Sequence, residues 1–215
     1  KALELRPDFT SALINIGISY RNLLKLENAH KQFETALNLE PNNELIHFQQ
    51  GLTFFSEKKY ERAFECYDQA IYLKPDFVDA LLNAAHAFLE LKNPSEAIKI
   101  YDQIILIDSK QIPAYIGQYE ALMSTKKYQE ASNIMYRAFK ITNDIDEGLG
   151  KLLHAKLRIC DWSDFNELKN KILTGIVNHK YVTQPFYAIN LFDNAVILKE
   201  CASIFSNKLY GSFPK

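Results

Sequence analysis

The stretch ELIHFQQGLTFFSEKKYERAFECYDQAIYLKPDF, Glu44 to Phe77, decides the fold, because its length of 34 residues is also the period of its surroundings. Ala2, Ala36 and Ala70 keep that step, as do Pro7, Pro41 and Pro75, Gly17 and Gly51, and Ala29, Ala63, Ala97 and Ala131. A fixed period of this size means stacked supersecondary units, each burying its apolar face against the next.

Each column has a mechanical reason in a helix-turn-helix unit. Gly17, Gly51 and Ala85 are small where the first helix crosses the second, and Ala29, Ala63, Ala97 and Ala131 are small on the facing helix, so the axes can approach closely. Tyr20, Phe54 and Phe88 on the first helix, with Phe33, Tyr67 and Tyr101 on the second, fill the space beside them. Pro41 and Pro75 follow the second helix, where fixed φ and a missing N–H stop it.

These residues resemble the tetratricopeptide repeat, with small, aromatic, small and proline positions at the family's offsets. The resemblance implies an all-α, right-handed superhelical solenoid of hairpins with a C-terminal helical cap. Residues 1–145 are read as the array: a partial first repeat, with Lys1–Leu5 as the tail of a helix, then repeats starting near 10, 44, 78 and 112. The last of these is weaker, with Tyr119 at the usual glycine place and Asn143 at the usual proline. Residues 146–215 are read as a degenerate hairpin plus a helical extension. Its parts are a turn-rich connection over Asn178–Pro185, an apolar stretch Phe186–Phe192, and a helix from Asn194 to about Tyr210. Asp193 is expected as N-cap, and Val196, Leu198, Ala202 and Phe205 as the face that closes the stack.

Stacked hairpins line their inner face with first helices. Subtracting repeat positions 4, 7, 8 and 11 as core leaves one helical stripe as the candidate peptide groove. Asn15, Gln49 and Asn83 recur along it, followed by Gly117. A side-chain amide donates and accepts, so it pairs with a peptide unit whatever the sequence. Phe48, Leu52 and Phe55 make the same stripe apolar, as an interface or a self-covered surface is. His86 also falls on it, and is read as a solvated histidine because one imidazole without a positioned partner is not a general base. Chaperone-binding members of the family clamp a terminal carboxylate with Lys, Asn and Arg. Comparable places here hold Ile14, Ile18, Gln49, Asp79 and Asn83, which argues against that use.

Composition narrows the partners. With 25 Lys+Arg against 26 Asp+Glu, no cationic excess serves nucleic acid or an anionic membrane, and no apolar run reaches a membrane span. The expected partner is a protein or peptide in the groove, with a second copy of the chain also compatible. Three dispersed cysteines, Cys66, Cys160 and Cys201, read as buried, reduced thiols of a cytoplasmic protein. No catalytic, metal or cofactor residues are assigned: His30, His47, His86, His154 and His179 show no ligand spacing. Asp144, Asp146 and Glu147 suit the start of a helix.

The string Arg158–Phe165, with Trp162 read as an aromatic anchor between helices, and the string Pro185–Asp193 resemble the junction before the catalytic region in bacterial relatives of the O-linked N-acetylglucosamine transferase and SPINDLY family. That resemblance implies a noncatalytic, acceptor-presenting region of a glycosyltransferase. The alternative is a free-standing scaffold or assembly adaptor.

Overall fold

Helices start and stop where the repeat punctuation places them. In the computed structural model, which describes residues 8–142 and 145–211, the described chain is all α. The helical tail expected at Lys1–Leu5, together with Pro7, Asn143 and Asp144, lies outside the described residues. The chain falls into two compact units, Lys1–Ala114 and Tyr115–Lys215. That division comes earlier than the boundary at 145 read from composition, because a stack in which each hairpin touches only its neighbours carries no seam in its composition.

The first unit pairs α1 (Asp8–Asn22) with α2 (Leu26–Leu39), α3 (Glu44–Ser56) with α4 (Tyr60–Leu73), and α5 (Val78–Glu90) with α6 (Pro94–Ile107). Asn43 caps α3, its side chain accepting from the amides of Leu45 and Ile46 at 3.0 and 3.4 Å. Pro94 opens α6, where the missing N–H costs nothing. Phe33, Tyr67 and Tyr101 are fully buried between the helices of successive hairpins. Small residues face these rings of necessity: a Cβ added to Gly51 would lie 2.5 Å from Tyr67 Cε1, and one on Gly17 2.5 Å from Phe33 Cε1.

The core stripe is broader than the sequence reading makes it. Ile46 joins the cluster of Leu13, Ala29 and Phe33, while Ala80, Ala84 and Ala87 join that of Ala63, Tyr67 and Ala70, so each first helix also packs against the preceding hairpin. The repeat register expects Ile16 in the core at the place Ala84 occupies, yet it is exposed, because no described element precedes α1.

The second unit contains most of α7 (Ile112–Ser124), then α8 (Tyr128–Ile141), α9 (Gly148–Arg158), α10 (Phe165–Val177), α11 (Pro185–Ile189) and α12 (Ala195–Tyr210). The hairpin α9–α10 is degenerate in residue type but regular in backbone. Leu24, Lys58, Lys92, Lys126 and Cys160 all have φ between 56 and 61°, at a constant step, one in the turn inside each hairpin. In each, the next amide bonds five residues back: Lys25 to Tyr20, Lys59 to Phe54, Asn93 to Phe88, Lys127 to Leu122 and Asp161 to Lys156, at 2.8–3.0 Å. This is a left-handed C-terminal cap that satisfies the last carbonyls of the first helix. None of the five is glycine, the residue that adopts this conformation without strain, so no single-letter signal marks the turn.

Three expectations for this unit need correction. Asn194, not Asp193, caps α12, because its Oδ1 reaches the amides of Val196 and Ile197 at 3.0 and 3.2 Å. Val196 and Ala202 are exposed, and the buried face of α12 runs through Cys201 toward α10 and α11. Trp162 anchors no helix pair: it is 60% exposed and meets Phe165 edge-on at 5.2 Å, because the tight turn holds it outside the hairpin.

Candidate peptide-binding face

Successive first helices of the first unit touch directly, α1 on α3 and α3 on α5. Their shared face is therefore the inner side of this three-hairpin stack. Ser11, Asn15, Ile18 and Asn22 of α1, Leu45, Leu52 and Ser56 of α3, and Asp79, Asn83 and His86 of α5 project there, exposed or half-buried. Leu45 is 40% exposed, and Leu52, Phe55, Leu82 and Leu89 are half-buried. Apolar surface thus remains uncovered beside amides, as an extended peptide requires: side-chain contact plus backbone pairing.

The residues singled out in sequence separate into three environments. Asn15 is exposed, while the Asn83 amide already donates to the Asp79 carbonyl at 2.8 Å. Leu52 and Phe55 are half-buried at the edge of the core, with the Phe55 ring 5.2 Å from Tyr60, edge-on. His86 is exposed, its ring 6.3 Å from that of Tyr101. Phe48 is not on the open face. It is 8% exposed, with Phe77 at 5.0 Å and Tyr67 at 6.0 Å, because its helical position points toward the next hairpin rather than inward.

Gln49 is also buried, and the reason is a residue that sequence reasoning passed over. Arg21 Nη1 donates to Gln49 Oε1 at 2.7 Å and approaches its carbonyl at 3.4 Å, tying α1 to α3. Burial pulls the Arg21 pKa down from its ordinary value, opposed by nearby Tyr67. The Tyr67 phenol is pushed up by burial, and among the described residues its hydroxyl has no hydrogen-bond partner. The Arg21 cation on this face is therefore engaged with an amide. Its only sequence signal is an arginine on the stripe itself.

In the second unit the chain covers the start of α9, the first helix of the fifth hairpin. The carbonyls of Tyr181 and Val182 accept from the amides of Glu147 and Gly150 at 2.8 and 3.0 Å. The Tyr181 hydroxyl and the Gln184 amide both donate to the Glu147 carboxylate, the latter at 2.8 Å. Gly150 is required for this approach: a Cβ there would sit 2.3 Å from Thr183 Oγ1. A segment of connecting chain held by amides at the start of α9 is thus already docked on that helix, with α11 beyond it.

Among the described residues no cluster of three or more His, Cys, Asp or Glu can hold a metal, and no helix is long and apolar enough to cross a membrane. Cys66 is half-buried, its thiol pushed up to about 11 by burial and then by Glu65. Cys160 departs from the buried reading and is exposed, because it occupies the left-handed turn position.

Two sequence models of the tetratricopeptide repeat match the chain, over residues 14–76 and 54–119. No curated protein matches it. Among solved structures, MamA aligns with a TM-score of 0.70 at 16% identity, over 79% of this chain and 92% of that one. YrrB, described as a repeat protein of this kind with an unusual peptide-binding site, aligns with a TM-score of 0.65 at 12% identity, over 94% and 96%. PilF of Pseudomonas aeruginosa aligns with a TM-score of 0.65 at 15% identity, over 94% and 85%.

Proposed function

Since the chain is a tetratricopeptide-repeat protein across residues 14–119, we propose that it holds an extended polypeptide on the inner face of α1, α3 and α5. The observation that carries this is the partly exposed apolar row Leu45, Leu52, Phe55 and Leu89 beside the amides of Asn15 and Asn83. The peptide-binding site named for YrrB supports the same use of the fold. Replacing Leu52 and Phe55 together by Ser tests it. Peptides selected from a displayed random library on the unaltered chain are expected to bind the variant at least about tenfold more weakly, at unchanged helicity. Equal binding to the folded variant rejects this face as the site.

A narrower reading extends the proposal to the acceptor-presenting, noncatalytic region of a glycosyltransferase similar to the O-linked N-acetylglucosamine transferase and SPINDLY family. It is supported by the strings Arg158–Phe165 and Pro185–Asp193. The alternative is a free-standing scaffold whose face takes a peptide or a second copy of the chain. The coding sequence beyond Lys215 decides: nucleotide-sugar-binding loops support the enzyme reading, a stop codon the scaffold. Three free thiols fit a reducing compartment such as the cytoplasm in either case.

A further inference from the structure

Helix α9 and the short helix α11 enclose a cavity of about 220 Å³. Buried Leu153 and Leu191 with half-buried Leu157 make it apolar. One wall is His154 stacked on Tyr187 at 4.8 Å, and the outer edge is Phe186, left 71% exposed. Burial, and then the nearby Arg158 cation, pull the His154 pKa below its ordinary value, so this wall is uncharged at neutral pH. Pockets for drug-sized ligands begin near about 300 Å³, whereas a cavity of about 150 Å³ already takes up a benzene ring. The space therefore suits one aromatic ring with a short substituent.

The walls select against a main chain and for an anion. A peptide unit taken out of water needs a donor and an acceptor. Among the described residues lining the cavity the one side-chain amide is Asn190, and it already donates to the Phe186 carbonyl at 3.2 Å. The one charged residue among them is Arg158. Its Nη2 donates to the Tyr128 hydroxyl at 2.7 Å and its guanidinium rests 4.7 Å from the centre of that ring, yet among the described residues no carboxylate pairs with it. The other cations of α9 are taken, Lys151 by Glu120 and Glu147 and Lys156 by Asp161 and Asp164, at 2.6–3.4 Å. Five N–H donors in a planar fork leave Arg158 with capacity for an acceptor.

From His154 to Arg158 the helix rises about 6 Å, which a linker of two carbons between ring and charge spans. We propose that this cavity binds a small molecule, a one-ring aromatic anion, with its ring beside the His154–Tyr187 pair and its charged group on Arg158. The site belongs to the second unit and does not depend on the face of α1, α3 and α5, so either can fail without the other.

The test uses the whole 215-residue chain, titrated with hydrocinnamate and followed by NMR. Binding is expected with a Kd below about 1 mM, within reach of a ligand of this size, and with the shift changes centred on His154, Tyr187 and Leu191. Hydrocinnamamide, the same shape without the charge, and hexanoate, an acid without the ring, should each bind at least about tenfold more weakly. Arg158→Gln should abolish the difference between acid and amide, and Arg158→Lys should restore part of it, keeping the charge but not the fork. Leu157→Trp, whose larger side chain fills the space, should abolish binding at unchanged helicity. Equal affinity for acid and amide, equal affinity for hexanoate, or shift changes only outside α9 and α11 would overturn the proposal.

Discussion

Phe48→Ala is expected to destabilise the first unit by about 3–5 kcal/mol, the range for truncating a buried aromatic. The ring is 8% exposed and packs in one cluster with Tyr67, Ala63, Ala80 and Ala84. Three of those four buried neighbours are alanines, so the space can be refilled only by partly exposed neighbours such as Phe77, which sets where in that range the loss falls. Phe55→Ala, at a half-buried position on the same helix, is expected to cost about 1 kcal/mol, because part of that ring already faces water. Urea unfolding followed by circular dichroism compares the two. A Phe48 loss no larger than that of Phe55 would put Phe48 on the open face, as the helical stripe alone suggests.

Gly150→Val should release the segment Tyr181–Gln184 from α9. The added Cβ would stand 2.3 Å from Thr183 Oγ1, 2.8 Å from its Cβ and 3.1 Å from its Cα. Rotating the hydroxyl away relieves only the first of these clashes, and the approach to the main chain of Thr183 demands that the backbone itself move. Moving it breaks the amide bonds from Glu147 and Gly150 and the Tyr181 and Gln184 bonds to Glu147, leaving that carboxylate with Lys151 alone of these partners. Overpacking alone costs about 1–3 kcal/mol, and the lost hydrogen bonds raise the total to about 3 kcal/mol or more. Hydrogen exchange should show the Glu147 and Gly150 amides losing protection, with faster tryptic cleavage after Lys180. Retained protection at both amides would mean that the segment is held by α12 rather than by its docking on α9.

Both predictions concern packing that the period does not announce. The columns Gly17/Gly51, Ala29/Ala63/Ala97 and Phe33/Tyr67/Tyr101 are legible because they meet within one hairpin or between near neighbours, and the chain repeats them at a fixed step. Hence the helices, their order and the close crossing at Gly51 follow from sequence. The candidate face was legible only in part. Asn15 and His86 are exposed and Leu52 and Asn83 half-buried, while Phe48 and Gln49 are buried. A helical wheel gives the direction of a side chain about its own axis but not what a neighbouring helix places against it. Phe77 covers Phe48, and Arg21 covers Gln49.

The second unit shows the same boundary in reverse. Its fifth hairpin lost the small-residue signature yet kept the left-handed turn at Cys160, because that turn is set by backbone hydrogen bonds any residue can make at some cost in strain. Tyr181–Gln184 reads as a turn-rich connection, and nothing in those letters says that its carbonyls meet the start of α9. Sequence by itself determined the repeat, its helices and the type of surface they present, since periodic local packing is written into residue size and spacing. Tertiary structure alone decided which parts of that surface remain open, because burial by a segment distant in the chain depends on where it folds back, and no column records it.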